Sequence, residues 1–204
     1  MSRVRTRPTR DETRDKLFEA ATRVFEEQGI GSASIEAIAA AAGFSRGAFY
    51  SNFKSKDELI IAMLEDHVER SIERNLDLLA QHQDIDDFLN ALKNMDRSKQ
   101  DPLGRAPLLH MEMILFVARA EKRRPELAKR LRARRKLVSD IVETSLKSSG
   151  RAAALNPAWT AAIVLALEDG FRLHRLIDPE TTPADGFLRA ISDLRRAMAI
   201  IATS

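Results

Sequence analysis

The sequence predicts an all-α protein of nine helices, and three observations carry that expectation. Ala, Leu, Arg and Glu dominate its 204 residues, and all four favour helix. Aromatics make up only 5%, with one Trp and one Tyr, and strand-type runs rich in Val, Ile and Thr are hard to find. Apolar residues, 44% of the chain, recur at three- and four-residue spacing between Gly, Pro and Asn punctuation, so packed helices can bury a core.

The first helix runs from about Thr9 to Gln28, with Leu17, Ala20, Ala21, Val24 and Phe25 on one face. Gly29 follows, where a left-handed residue ends a helix cheaply. Ser34 caps a second helix, Ile35 to Ala42, which Gly43 stops. Ser45 caps a third, about Arg46 to Asn52. Ser55 and Glu58 have capping-box spacing and open a long fourth helix to about Ala80, a rod of roughly 36 Å. Its apolar stripe is Leu59, Ile60, Met63, Leu64, Val68, Ile72, Leu76 and Leu79.

A fifth helix starts at Asp84 or Asp86. Arg97 to Arg105, polar and holding Asp101-Pro102 and Gly104, reads as a loop. A sixth helix begins near Pro107. The seventh has Pro125 as its first residue, ends at Gly150, and turns Leu127, Leu131, Val138 and Ile141 inward. Asn156-Pro157 starts the eighth, which Asp178-Pro179 ends, and Thr182-Pro183 starts the ninth, which carries Phe187, Leu188, Ile191, Leu194 and Met198. There is no internal repeat. The domain seam lies near Ser55: residues 1–55 form a basic arm and a small three-helix domain, and residues 56–204 a helical bundle. The fourth helix crosses the seam without a flexible linker.

Composition narrows the function. With no cysteine, a disulfide scaffold, a thiolate nucleophile and a Cys-ligated metal are excluded, which fits a reducing cytoplasm. The basic N-terminus is followed by no apolar core of a signal peptide, and no run approaches the roughly 20 apolar residues of a membrane span. A soluble, cytoplasmic protein without membrane contact is expected. Net charge is +3, which permits a polyanion partner without demanding one. Arg3, Arg5, Arg7 and Arg10 precede the first acid, Asp11, as a short basic arm.

Residues 34 to 56, SIEAIAAAAGFSRGAFYSNFKSK, carry the functional signal. Two short helices meet at a tight turn at Gly43. The Ala-rich second helix, with Ile38 as its large core residue, lets another helix approach closely, as a helix-turn-helix requires. The third helix is too short to persist alone. It presents Arg46, Gly47, Tyr50, Ser51 and Asn52, while Phe49 and Phe53 point inward. Arg46 suits a guanine edge or a phosphate. Tyr50, Asn52 and Lys54 are donors suited to phosphate oxygens. Gly47 lets backbone approach DNA, and Lys56 adds charge at the start of the fourth helix.

On these residues the chain resembles the tetracycline-repressor (TetR) family of bacterial regulators. The matching stretches are LFEAATRVFEEQGI, SIEAIAAAAG and above all GFSRGAFYSNFKSKDEL, covering about residues 12 to 62. The resemblance implies DNA contact at or near Ser34, Ser45, Arg46, Gly47, Tyr50, Asn52, Lys54 and Lys56. Ser34 replaces the family's usual threonine, and Lys54 stands where proline or glycine is frequent. The resemblance also implies a four-helix dimer interface from the last two helices, here Ile163, Leu167, Gly170, Phe171, Leu188, Ile191 and Leu194. It further implies a ligand cavity, for which Phe88, Leu92, Met95, His110, Met113, Phe116, Ile141 and Trp159 are candidates. Such a cavity is mostly apolar and suits a hydrophobic or amphipathic effector. The expected partners are palindromic double-stranded DNA, a second copy of the chain and a small-molecule effector of unknown identity.

Between Arg119 and Lys136, ten Lys and Arg face two acids, Glu121 and Glu126, a block that reads chiefly as a solvated face. Glu112, Glu168 and Asp169 are acids within apolar runs and read as satisfied or surface groups. An enzyme is the rival class. The sequence has no P-loop and no G-x-G-x-x-G, and His67, His82, His110 and His174 lack metal-ligand spacing. No cofactor, metal or catalysis is expected. The alternative is a ligand-carrying or protein-binding helical bundle without DNA binding, which the intact donor set of Arg46, Tyr50, Asn52, Lys54 and Lys56 argues against.

Overall fold

The computed structural model describes residues 9–82, 84–95, 101–122, 124–148 and 155–201. Among the described residues there are ten helices and no strand. They are α1 (Arg10–Ser32), α2 (Ile35–Ala41), α3 (Arg46–Tyr50), α4 (Lys56–Gln81), α5 (Ile85–Asn94), α6 (Pro102–Arg105), α7 (Pro107–Arg119), α8 (Arg124–Ser148), α9 (Pro157–Ile177) and α10 (Gly186–Ile201). Arg3, Arg5 and Arg7 of the expected arm, the stop at Gly150 and the side chain of Met198 lie outside the described residues.

Helix starts follow the local chemistry. The Thr9 hydroxyl accepts from the Glu12 amide at 3.2 Å, and the Glu12 carboxylate accepts from the Thr9 amide at 2.8 Å, a complete capping box. Ser34, Ser45, Asp84 and Asn156 each accept a backbone amide at the first turn of α2, α3, α5 and α9. Gly29, at φ +76°, breaks α1 before its last residues, and Gly43, at φ +74°, makes the turn after α2; both angles strain any residue with a Cβ. The box at Ser55 is half-formed: its hydroxyl accepts from the Glu58 amide at 3.1 Å, but the Glu58 carboxylate takes the Lys54 amide at 2.8 Å. The turn before α4 points the amide one residue earlier at the helix start.

Three boundaries correct the sequence reading. The expected loop before Pro107 contains α6. Asp101 caps it by accepting from the Gly104 amide at 3.1 Å, Pro102 fills its first position, and Leu103 is buried. Four residues, of which Pro102 and Leu103 are buried, are too few to show a periodicity. Helix α8 begins at Arg124, so Pro125 is its second residue. Helix α10 begins at Gly186 rather than at Pro183, because the Gly186 amide closes a turn onto the Pro183 carbonyl at 3.0 Å.

The chain divides into two compact units, Met1–His67 with Arg97–Leu127, and Val68–Asp96 with Ala128–Ser204. The first has a continuous core in which Leu17, Phe25, Ile38, Phe49, Phe53, Leu59, Met63, Met113 and Val117 are almost fully buried. In it α1 packs on α2, α6 and α7, and α2 packs on α3. Each such aliphatic or aromatic side chain contributes about 1.5–3 kcal/mol by leaving water. The second unit has a smaller cluster of Phe88, Leu89 and Leu188, with Leu78, Leu79, Leu92 and Ile191 packed against it. Helices α4 and α8 contribute residues to both units. Helix α4 runs 26 residues, about 39 Å at 1.5 Å per residue. No helix among the described residues is long and apolar enough to cross a membrane.

Candidate nucleic-acid interface

Helix α3 has five residues, too few to be stable alone, and its position comes from Phe49. Phe49 is fully buried and packs on Phe53 with ring centroids 5.8 Å apart, and Phe53 stacks on Phe18 of α1 at 5.8 Å. The Arg14 guanidinium lies 5.6 Å and 5.3 Å from the Phe18 and Phe53 ring centroids and shields this edge of the core from water. With the inner side of α3 anchored, its outer side is a fixed platform.

On that platform Ser34, Ser45, Arg46, Gly47, Tyr50 and Lys54 are exposed. Arg46 Nε pairs with the Glu36 carboxylate of α2 at 3.0 Å. Its Nη2 donates to the Tyr50 oxygen at 3.4 Å, and the guanidinium lies over the Tyr50 ring at 5.4 Å. The Tyr50 hydrogen bond and then the Glu36 charge push the Arg46 pKa above its ordinary value, so the group stays cationic. Tyr50 accepts from Arg46, which leaves its own hydroxyl proton available outward. Gly47 has helical backbone, and a Cβ built there would meet only the Ser45 hydroxyl, at 3.7 Å. The fold itself has no need of glycine at this position.

Asn52 and Lys56 are placed differently from the other expected contacts. Asn52 turns its Nδ2 back onto the Ala48 carbonyl at 2.9 Å, and its Oδ1 is buried without a hydrogen-bond donor. Lys56 Nζ donates to the carbonyls of Ile30, Gly31 and Ala33 at 2.7, 3.1 and 2.8 Å. Both side chains make hydrogen bonds within the protein, which their spacing in the sequence does not reveal. Glu36 is the residue of the platform that sequence reasoning missed. Its pairing with Arg46 depends on how α2 crosses α3, which leaves no trace in spacing.

The eight candidate cavity residues divide between the two units. In the first unit, His110 and Met113 are buried, with Met113 in the core and Phe116 packed against that core. In the second, Phe88 and Leu92 belong to the core cluster, Met95 and Ile141 are half-buried, and Trp159 is 71% exposed. A groove of about 520 Å³ lies between α5 and α10, lined by Leu89, Asn90, Lys93, Leu188, Ser192 and Arg196 among others, with none of those eight on its walls. Its cations are paired: Lys93 with Asp185 at 3.1 Å, and Arg196 with Asp193.

The candidate interface residues also separate. Leu188 is buried, Ile191 packs on the same cluster, and the Phe171 ring lies against Gly186, where a Cβ would come within 3.0 Å of it. These three serve the chain's own packing, because the ninth and tenth helices pack on each other. Ile163 and Leu194 remain exposed, at 56% and 50%, and Leu167 and Gly170 are half-buried. Along α9, Trp159, Ile163, Ala166, Gly170, Leu173 and Ile177 follow four- and three-residue spacing on one face, and all but the half-buried Gly170 are exposed. Trp159, expected in a cavity, sits on this stripe.

The basic block of α8 is partly neutralised. Arg134 and Arg172 both donate to Glu168, at 2.6 and 3.1 Å, Arg130 pairs with Glu69, and Lys136 pairs with Asp140. Among the described residues, no group of His, Asp and Glu is arranged to hold a metal ion.

Comparison with known proteins bears on this geometry. Residues 17–63 match the family model described as bacterial regulatory proteins, tetR family, and residues 96–197 match the one described as tetracyclin repressor-like, C-terminal domain. The HTH-type transcriptional regulator TtgR of Pseudomonas putida is 39% identical over 75 residues, 34% of this chain and 36% of its own length. The uncharacterized HTH-type transcriptional regulator YfiR of Bacillus subtilis is 31% identical over 134 residues, 64% of this chain and 63% of its own. The matches thus span less than two thirds of either relative. Among solved structures, the transcriptional regulator FadR from Bacillus subtilis, in complex with stearoyl-CoA, superposes with a TM-score of 0.65 at 16% identity. That match covers 88% of this chain and 95% of FadR. Because the second family model alone spans half of the 204 residues and the first spans the anchored helix pair, the chain belongs to the tetracycline-repressor family of DNA-binding bacterial transcriptional regulators.

Proposed function

We propose that this protein is a homodimeric, cytoplasmic regulator that reads a palindromic operator with α2 and α3 and is released from it by a hydrophobic or amphipathic ligand. One observation carries the reading: α3 is anchored from behind by Phe49 and Phe53 while its exposed side offers Arg46, Tyr50 and a glycine the fold does not require. Arg46 reaches base edges or phosphate, Tyr50, Lys54, Ser34 and Ser45 donate to phosphates, and Gly47 admits the DNA backbone. In this reading residues 1–55 recognise DNA, residues 56–204 bind the ligand and the second copy, and the chain regulates without catalysing.

The stripe on α9 supports the dimer. A Cβ at Gly170 would meet nothing within 4 Å, so the chain's own packing leaves room there for a partner helix. A two-fold dimer sets two reading helices about one DNA turn apart, roughly 34–36 Å. Helix α4 joins the ligand-binding part to the reader without a break and is the route by which ligand tilts the reading helices. The stearoyl-CoA of FadR, an amphipathic thioester, is one chemistry to screen. The test is selection from a random duplex library, followed by native mass spectrometry of the selected complex. Two protomers on a palindrome is the expected result. Enrichment of no sequence by the folded protein would favour the ligand-carrying bundle instead.

A further inference from the structure

In the second unit the residues of α4 divide into two faces. Glu73, Leu76 and Asp77 are exposed. Ser71, Arg74 and Leu78 follow three- and four-residue spacing on the other face. Ser71 is 9% exposed there, and Leu78 packs against the cluster of Phe88 and Leu188. An arginine thus stands in the inward stripe of this helix, between a buried hydroxyl and an apolar core.

Arg74 has no partner in the chain. Its Nε is closed to solvent and meets no hydrogen-bond acceptor, and no carboxylate among the described residues pairs with its guanidinium. Four other half-buried arginines of the unit each hold a carboxylate: Arg130 takes Glu69, Arg134 and Arg172 share Glu168, and Arg195 takes Asp86. Removing a guanidinium from water without an acceptor is costly, and folded proteins leave few such groups. The planar fork of an arginine matches a carboxylate in bidentate fashion. The unmet donors of Arg74 therefore call for an anion that the chain itself does not supply.

The same unit keeps apolar surface unfilled. Arg130 of α8 reaches Glu69 of α4 at 3.7 Å, so α8 meets this part of α4. Val138, Ile141, Val142 and Leu146 of α8 are apolar yet only half-buried. One unpaired positive charge in a unit with unfilled aliphatic surface suits a monoanion with an apolar body. A phosphate, with nearly two negative charges, would leave one of them uncompensated.

We propose that Arg74 is the anion-recognising residue of the effector site, and that the effector is an amphipathic monocarboxylate whose carboxylate takes the Arg74 fork. This rests on residues 56–204 holding the effector.

The experiment is calorimetric titration of the 204-residue protein with probes that share one tail and differ in their heads: decanoate, 1-decanol and decyl phosphate. Wild type is expected to bind decanoate at least about tenfold more tightly than either of the others. Arg74→Met, which keeps an unbranched stem, is expected to weaken decanoate by about 10- to 100-fold and to leave decanol unchanged. No binding of decanoate, equal affinity for decanoate and decanol, or the wild-type affinity for decanoate in Arg74→Met would overturn the proposal. Tighter binding of decyl phosphate would overturn the choice of a carboxylate.

Melting without ligand separates recognition from a structural role. An unmet guanidinium destabilises the empty protein, so Arg74→Met should melt about 2–4 °C higher than wild type. A lower melting temperature, or failure to fold, would mark a structural arginine and overturn the proposal. Release of a selected DNA duplex is followed on the same samples. Decanoate that binds through Arg74 without releasing the duplex would sustain the anion site and defeat release by ligand. Release by decanol as readily as by decanoate would sustain release by ligand and defeat the anion site.

Discussion

Truncating Phe49 to alanine removes the side chain that fixes the reading helix. Phe49 is fully buried and shares its packing with Phe53, which in turn stacks on Phe18. Deleting a buried phenyl ring costs about 3–5 kcal/mol, the lost transfer energy plus the cavity left behind. A whole domain has only about 5–15 kcal/mol of stability, so this one truncation removes a large share of it. The five-residue α3 cannot offset the loss from its own propensity. Phe49→Leu, which keeps most of the volume, should cost about 1.5 kcal/mol or less. Urea unfolding followed by far-UV circular dichroism measures both, at one fixed protein concentration because association adds stability by mass action. A double-mutant cycle with Phe53→Leu should return a coupling of about 0.5–1.5 kcal/mol for the ring pair. If Phe49→Ala cost less than about 1 kcal/mol, or no more than Phe49→Leu, the argument that α3 is held from behind would be wrong.

Other substitutions probe separate parts of the fold. Trp159 is the one tryptophan and is 71% exposed on the α9 stripe, so its emission should shift to the red on dilution as the proposed dimer dissociates. Ile163→Asp should give the red-shifted spectrum at every concentration, and a spectrum independent of both would place the interface elsewhere. Glu168 bridges Arg134 and Arg172 with all three side chains 16–22% exposed. Glu168→Ala leaves two guanidinium groups facing each other and should cost about 2–3 kcal/mol in urea unfolding, at or below the range for a broken buried pair. Ser34→Ala removes the α2 cap and should cost about 1 kcal/mol, with Ser34→Gly milder by several tenths. No loss in Ser34→Ala would indicate that the hydroxyl bond to the Ala37 amide contributes nothing.

Most of the fold was legible because its cues are local. Ser34, Ser45 and Asn156 cap helices as their side chains dictate, and Gly29 and Gly43 take the positive φ angles that end α1 and α2. Helix α6 was not legible, since its stability comes from Leu103 entering the core and from Asp101, whose carboxylate also meets His67 Nδ1 at 2.7 Å. That partner lies 34 residues away and leaves no pattern. The reading surface was legible as far as exposure goes, for Arg46, Gly47, Tyr50 and Lys54 all face outward. The inward turn of Lys56 and the Glu36–Arg46 pair were not, because each depends on the meeting of two elements distant in sequence. The same reason applies to Phe171 and Leu188. Both are apolar at helical spacing, and only the packing of α10 on α9 and α5 decides that they face their own chain.

The most direct test of DNA reading by α3 is the salt dependence of affinity for a selected duplex and for random DNA, in wild type and in the Arg46→Ala, Tyr50→Ala double variant. Wild type should bind the selected duplex tightly, with a steep linear fall of log affinity against log salt. The double variant should lose about 1–3 kcal/mol per base-reading protomer and most of its preference over random DNA, while remaining folded and dimeric. A double variant that matches wild type in affinity, slope and preference would contradict the assignment of α3 as the reading helix.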